Sequence, residues 1–389
     1  MSALAVVCHA FGASVAGSDR EASAYTKRLE EQGIEVTIGH SAGNLRPGWE
    51  VIVSSAILPG NPELVENARR RGELLAELVA LRPSIVVAGA HGKTTTTAMI
   101  AFVLDRLGLD PAYLIGGSVP QLGGNARAGE GWLVAEGDES DRSLALLAPR
   151  IGVVTNIDLD HHVSFVSLAE VERFFESWLD GLPPGSTAIR SDEVEPPGDL
   201  VLAVPGEHNR RNAAAAVAAL EAAGIEADQA KAVLAEYRGA GRRFEAHGEE
   251  RGVRVFDDYG HHPAEITAAL RTARDAAGSG RVLAVLQPHL YSRTLYLHHE
   301  LAVALTAADV AIVTDVCGAR EEPIPGVSGR LVLDRLSELR PGMRMAWAPG
   351  FGAVAAIVDD EARPGDVVVT HGCGDIYRAI PGILDRLRR

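Results

Sequence analysis

One stretch limits what this chain can fold into more than any other: residues 85–99, IVVAGAHGKTTTTAM. The apolar run 85–88 reads as a buried parallel strand, and residues 95–107 have the composition and apolar spacing of a helix. Between them, Gly89-Ala90-His91-Gly92-Lys93-Thr94 reads as a phosphate loop. Glycines let backbone N–H groups turn in on phosphate oxygens, and the helix N-terminus adds partial positive charge. Lys93 is placed to neutralise the terminal phosphates and the Thr94 hydroxyl to reach a magnesium ion. The loop is shorter than the common G-x-x-x-x-G-K-[ST] form, because Val87 stands where its first glycine would be.

A chain of 389 residues, 47% apolar and 23% charged, is long enough for two or three globular domains. Its net charge of −15 argues against a nucleic-acid backbone as main partner. Cys8, Cys317 and Cys373 lie far apart and form no CxxC, so neither a disulfide framework nor a zinc ribbon is expected, and a reducing cytoplasm is the default. No apolar run approaches the roughly 18 residues of a membrane span. Residues 1–11 lack a basic leader and a cleavage pattern, so no targeting segment is expected.

Strands and helices alternate along the chain. A helix over 1–11, a strand at 14–17, a helix over 23–32, strands near Val36 and at 51–55, and a helix over 62–71 suggest a dinucleotide-type αβ domain. Ser18 and Asp19 close its second strand, where an acidic residue holds a ribose. This domain opens inside the helix that should follow a first strand and glycine-rich turn. Since that strand is central, the sheet is expected to have its middle position unfilled or filled by something else. Leu81-Arg82-Pro83 marks a hinge. The second domain runs to residue 242, with strands at 85–88, 132–135, 151–155 and 201–204 and helices over 168–179 and 212–223. From 243 a third αβ unit has strands at 253–257, 282–287, 310–315 and 367–370.

Several loops at strand ends carry chemistry. Glu136-Gly137-Asp138-Glu139-Ser140-Asp141 is either a solvated acidic loop or a metal site in which Glu136, first off its strand, binds the ion bridging the triphosphate. Asp158-Leu159-Asp160-His161-His162 suggests a second metal position with His161 as ligand. Asn209 and Asn212 either cap the alanine-rich helix or face the adenosine end of the nucleotide. In Gly241-Arg242-Arg243-Phe244-Glu245 an arginine is either solvated or clamps a transferring phosphoryl group. Asp258 follows a strand and faces nucleotide, while His261 and His262 face substrate; His289 and Arg293, on another strand-end loop, suit a carboxylate.

Together these stretches resemble the Mur ligase family of peptidoglycan synthesis. The family's GTHGKTT stands here as GAHGKTT, its EADESD as EGDESD and its T-N-I-[DE]-x-D-H as TNIDLDH. PGEHNRRNA, RRFE, DDYGHHPAEI, QPHLYSRT, PIPGVSG and GCGDI are similar to the alanine-adding branch, as are AGSD and SSAI in the first domain. The resemblance covers the whole chain, with departures at Ala90 for threonine, Arg142 for glycine, and HVSF after His161; the family's G-x-G-G-x-G loop would precede Met1. It implies an α/β fold of three domains: a Rossmann-like UDP-sugar domain over 1–81, a P-loop-type ATPase domain over 82–242 and a Rossmann-like C-terminal domain over 243–389. It implies ATP-dependent ligation of L-alanine to the lactyl carboxylate of UDP-N-acetylmuramate through an acyl phosphate. ATP would meet Gly89, Ala90, His91, Gly92, Lys93, Thr94, Thr95, Asn209, Arg243 and Asp258; Mg²⁺ would meet Thr94, Glu136 and His161. Lys93, Glu136, His161 and Arg243 would serve the chemistry, and Ser18, Asp19, His261, His262, His289 and Arg293 the substrates. A monomer or weak homodimer is expected, with no nucleic-acid or membrane partner. The alternatives are a ligase joining a preformed peptide to the same sugar nucleotide, and a non-catalytic homologue.

Overall fold

The computed structural model describes residues 1–159, 164–319 and 321–389. It divides into two compact units, Met1–Ala240 and Gly241–Arg389.

The first unit begins with helix α1 (Ser2–Ala10), strand β1 (Ala16–Asp19), helix α2 (Ala24–Glu31) and strand β2 (Glu35–Ile38). Strands β3 (Ile52–Val53) and β4 (Arg69–Arg70) lead into helix α3 (Arg71–Ala80). β1 and β2 form one parallel pair and β3 and β4 another, and the two pairs are not hydrogen-bonded to each other. No strand among the described residues joins the two pairs. The helix expected over 62–71 is not formed. The Asn61 side chain accepts the Glu63 amide at 2.9 Å, a local turn that competes with helix, and the Glu63 carboxylate is drawn away to Ser41 N and Asn44. The helix starts instead at Arg71.

The main sheet of this unit has the order β10-β9-β5-β8-β6-β7. Its strands are β5 (Ser84–Ala88), β6 (Ala112–Val119), β7 (Gly124–Arg127), β8 (Leu133–Glu136), β9 (Ile151–Val154) and β10 (Thr187–Arg190). All pairings are parallel except β6 with β7. Every residue of β5 is buried, because its alternate side chains enter two different cores. Ile85 and Val87 join the core built with helices α4 (Lys93–Arg106), α6 (Glu207–Ala222) and α7 (Ala227–Leu234). Val86 and Ala88 join the other, with α1, α3 and α5 (Leu168–Asp180). The alanines of α6 let it pack directly on α4. Residues 201–204 form no strand: Val201 is 66% exposed, and the edge position belongs to β10. The polar β10 escaped sequence reading because an edge strand buries little.

In the second unit the sheet order is β11-β12-β16-β13-β14-β15. The strands are β11 (Glu245–Glu250), β12 (Val253–Asp258), β13 (Val282–Leu286), β14 (Val310–Thr314), β15 (Arg344–Ala348) and β16 (Val367–His371). Only β11, at the edge, runs antiparallel. Helices α8 (Pro263–Ala277), α9 (Tyr291–Leu305) and α10 (Arg330–Leu339) cover one face, and α11 (Phe351–Glu361) and α12 (Ile380–Leu387) the other. Among the described residues, no helix is long and apolar enough to cross a membrane.

Candidate active site

Strand register gathers the candidate residues of the first unit. In the main sheet of the first unit Val87 lies opposite Glu136 and Ala88 opposite Val154, so the loops after β5, β8 and β9 leave the sheet at one carboxyl edge. That edge is where parallel sheets place ligands. The chain leaves β5 through Gly89 at φ +126° and enters α4 from Gly92 at φ +80°. A Cβ on Gly89 would stand 2.3 Å from Thr155 Oγ1, and one on Gly92 would stand 2.4 Å from Asn212 Oδ1. Glycine is therefore required at both positions by backbone conformation and by close approach.

The β9 loop clamps the phosphate loop. Ala90 N donates to Asn156 O at 3.1 Å and His91 N to Asn156 Oδ1 at 2.9 Å, while Asn156 Nδ2 donates to His91 O at 2.8 Å. The Thr155 hydroxyl donates to His91 O at 2.6 Å. Sequence reading weighed the aspartates and histidines of this loop and passed over Thr155 and Asn156, whose effect comes only from the pairing of β9 with β5. The His91 ring lies 3.3 Å from Asp158 Oδ2.

Lys93 points back into its loop. Its Nζ donates to Glu139 Oε1 and Oε2 at 3.0 and 3.1 Å, to Ala90 O at 3.2 Å and to Gly89 O. Burial alone would lower the pKa of this ammonium, but the Glu139 charge and hydrogen bonds, with Asp138 and Glu136 behind, hold it above the ordinary lysine value. Thr94 Oγ1 donates to Glu136 Oε2 at 3.0 Å, and Gly116 N donates to the other Glu136 oxygen. A hydroxyl and a carboxylate side by side at a helix N-terminus are hard oxygen donors of the kind magnesium takes. Thr95 is buried in the first turn of α4. His161 lies outside the described residues.

Asn209 and Asn212 do not cap α6. The helix starts at Glu207, and both asparagines are buried within it. Asn209 Nδ2 donates to Pro205 O at 2.6 Å, and Asn212 abuts the loop at Gly92. At the end of β1, Ser18 Oγ lies 3.1 Å from His40 Nδ1 and donates to Glu63. Burial would raise the Glu63 pKa, but the hydrogen bonds from Ser18, Ser41 N and Asn44 hold it below the usual glutamate value. Asp19 receives the Glu21 amide at 3.2 Å.

The second unit gathers the other predicted residues at the ends of β12 and β13. Asp258 is buried and accepts Phe244 N at 2.9 Å and Gly260 N at 2.8 Å. Burial pushes its carboxyl up to about 6, against the pull of Arg243. The Arg243 guanidinium lies 5.1 Å from the Tyr259 ring centre and 3.6 Å from Glu265. Glu265, in the first turn of α8, accepts the amides of His261 and His262 at 3.0 and 3.2 Å, and the His261 ring stands 3.5 Å from the same carboxylate. The His261 and His289 ring centres are 6.0 Å apart, and Arg293 Nη1 is 3.4 Å from His289 Nδ1. His262 is buried at the N-cap of α8. Arg242 differs from its neighbour: it bonds Asp257 at 2.7 Å and the carbonyls of Gly372 and Gly374, which ties the start of this unit to the end of β16. Glu265 was missed from sequence; its place three residues into α8, where a carboxylate reaches back to free amides, was the signal available.

Residues 1–81 match the profile described as Mur ligase family, catalytic domain; residues 87–196 match the Mur ligase middle domain; residues 242–374 match the Mur ligase, glutamate ligase domain. The chain is 39% identical to the UDP-N-acetylmuramate–L-alanine ligase of Streptomyces avermitilis, across 100% of this chain and 95% of that one. To the ligase of the same name from Rubrobacter xylanophilus it is 40% identical, across 100% and 97%. Among solved structures, the UDP-N-acetylmuramate–alanine ligase of Thermotoga maritima superposes with a TM-score of 0.84 at 26% identity, covering 99% of this chain and 96% of that one. A murein peptide ligase from Psychrobacter arcticus shares the fold, with a TM-score of 0.70 at 22% identity, covering 100% and 96%.

Proposed function

The chain belongs to the Mur ligase family, and from that premise we propose that it joins L-alanine to the lactyl carboxylate of UDP-N-acetylmuramate at the expense of ATP, in the cytoplasm. The observation that carries this reading is the meeting of Lys93, Thr94 and Glu136 at one carboxyl edge, around a loop fixed by Thr155 and Asn156. We assign three domains, over 1–81, 82–242 and 243–389.

A carboxylate is a poor acylating agent, so the acid is first activated. The γ-phosphoryl group of ATP passes to the lactyl oxygen with release of ADP, and the resulting acyl phosphate is attacked by the free amine of L-alanine. The tetrahedral adduct then expels inorganic phosphate and leaves the amide. Lys93 and the amides at the start of α4 hold the phosphates, within the loop from Gly89 to Thr95 that Asn156 shapes by taking the Ala90 and His91 amides. Thr94 and Glu136 would hold Mg²⁺, with His161 as a third ligand, and the ion would supply charge neutralisation for the triphosphate. Arg243 balances charge on the transferring group, while Asp258 and Asn209 belong to the nucleotide side. His261, His262, His289 and Arg293 form the substrate side, where the buried Arg293 offers a planar fork to the alanine carboxylate. Ser18 and Asp19 serve the UDP-sugar.

The deciding assay is ADP release from ATP with UDP-N-acetylmuramate, which should depend on L-alanine. Release driven instead by a preformed peptide acceptor would move the chain to the recycling branch. Nucleotide binding without turnover on either acceptor would make it a non-catalytic homologue.

A further inference from the structure

The nucleotide reading uses Lys93, Thr94 and Glu136 but gives no part to Glu139, the residue that holds the lysine. Both Glu139 carboxylate oxygens accept from Lys93 Nζ, at 3.0 and 3.1 Å, and the glutamate is 3% exposed. Its neighbours in the acidic loop bond elsewhere. Glu136 takes Thr94 Oγ1 and Gly116 N, and Asp138 takes Ser140 and, at 2.8 Å, Arg71. The backbone fixes the loop as well: Gly137 N donates to Val87 O at 2.9 Å and Arg142 N to Glu139 O at 3.0 Å. Glu139 thus reaches Lys93 from a rigid support.

We propose that Glu139 is a positioning residue that competes with the nucleotide phosphates for Lys93, so that the loop discriminates against nucleotide not already neutralised by a metal ion. The inference rests on the ATP-dependent reading above. Before nucleotide arrives, the bidentate pair keeps the lysine side chain folded against Gly89 and Ala90 and spares a buried ammonium from standing unpaired. When phosphates enter, their charge meets that of Glu139 across the same ammonium. A bare di- or triphosphate feels this repulsion in full. A metal-bound one feels less of it, because the ion offsets the phosphate charge.

The test is direct binding of ADP to the full chain by calorimetry, with Mg²⁺ and with EDTA, in the wild type, E139Q and E139D. E139Q keeps the shape and one acceptor but loses the charge. It should bind ADP in EDTA about tenfold tighter than wild type, with a smaller gain in Mg²⁺; one elementary charge at a few ångströms near a protein surface is ample for such a factor. In turnover its KM for ATP should fall more than its kcat changes. E139D keeps the charge and should keep the discrimination against metal-free ADP, which provides a second reading if E139Q does not fold. Unchanged or weaker ADP binding by E139Q in EDTA overturns the proposal, as does loss of discrimination in E139D, since a merely structural glutamate could only weaken the site when altered. Absence of ADP binding by the wild type in both conditions would instead sink the nucleotide reading itself.

Discussion

Lys93 and His371 illustrate how burial sets chemistry one residue at a time. Lys93→Met should lower kcat by about 10²- to 10³-fold, the usual effect of removing a charge-stabilising group from a reaction centre. It also takes from the buried Glu139 the ammonium that both its oxygens accept from, a cost of about 3 kcal/mol. Adding Glu139→Gln to Lys93→Met should therefore recover the denaturation midpoint without recovering activity. His371 ends β16 fully buried, with no hydrogen bond to either ring nitrogen among the described residues, and burial pushes it down to about 3. An unfolded histidine takes its proton near 6.5 (about the ordinary value), so stability is full above that pH and is lost as pH falls toward 3, by up to about 1.4 kcal/mol per unit. Asp258, whose Oδ1 lies 4.0 Å from His371 Nδ1, acts in the opposite direction, since a carboxyl raised to about 6 favours the native state as pH falls through 6. His371→Leu removes only the first effect. The variant should gain on wild type progressively between pH 6.5 and 4 in denaturant titrations (both limits are approximate, from the ordinary histidine and aspartate values), and parallel curves would refute the assignment. Arg142 stands where the family resemblance expects glycine, and the structure gives the reason for that preference: its φ is +61°. The arginine holds this conformation through Ser164 O at 2.7 Å, Glu170, and the Phe165 ring at 4.6 Å.

At the scale of elements, the phosphate loop depends on β9 as much as on its own glycines. Asn156→Ala removes both side-chain bonds to His91 while leaving β9 in place. Each such bond is worth about 1 kcal/mol, so the loss of both should lower ADP affinity by up to roughly thirtyfold; an unchanged affinity would show that the loop keeps its shape unaided. The strand–loop–helix core was legible because a short apolar run leads through two glycines to a lysine and threonine that open a helix. Less legible were β6, β7, β10, β11 and β15, which are edge or near-edge strands or break their alternation, and the false helix at 62–71, where Asn61 captures the backbone first. Hydrophobic spacing reports burial. Where an element buries little, or a side chain takes over its backbone bonds, the signal is weak.

For the whole molecule, the two compact units each own a six-stranded sheet with apolar cores on both faces. A fragment of residues 241–389 should therefore unfold cooperatively by circular dichroism when expressed alone. On the proposed reading, which draws on Lys93 of one unit and Arg243 and Arg293 of the other, neither fragment should release ADP in an L-alanine-dependent manner. A fragment without a cooperative transition would show that the division at Ala240 is geometric only.

By itself the sequence determined the phosphate loop, the α/β class and the family, because these depend on local pattern and on motif strings that survive in order along the chain. Tertiary structure alone decided that Asn156 and Thr155 clamp that loop, that Glu139 takes Lys93, and that Glu265 gathers Arg243 and His261. Each of those contacts joins side chains brought together by strand register or helix start, and neither can be read from spacing before the sheet is built.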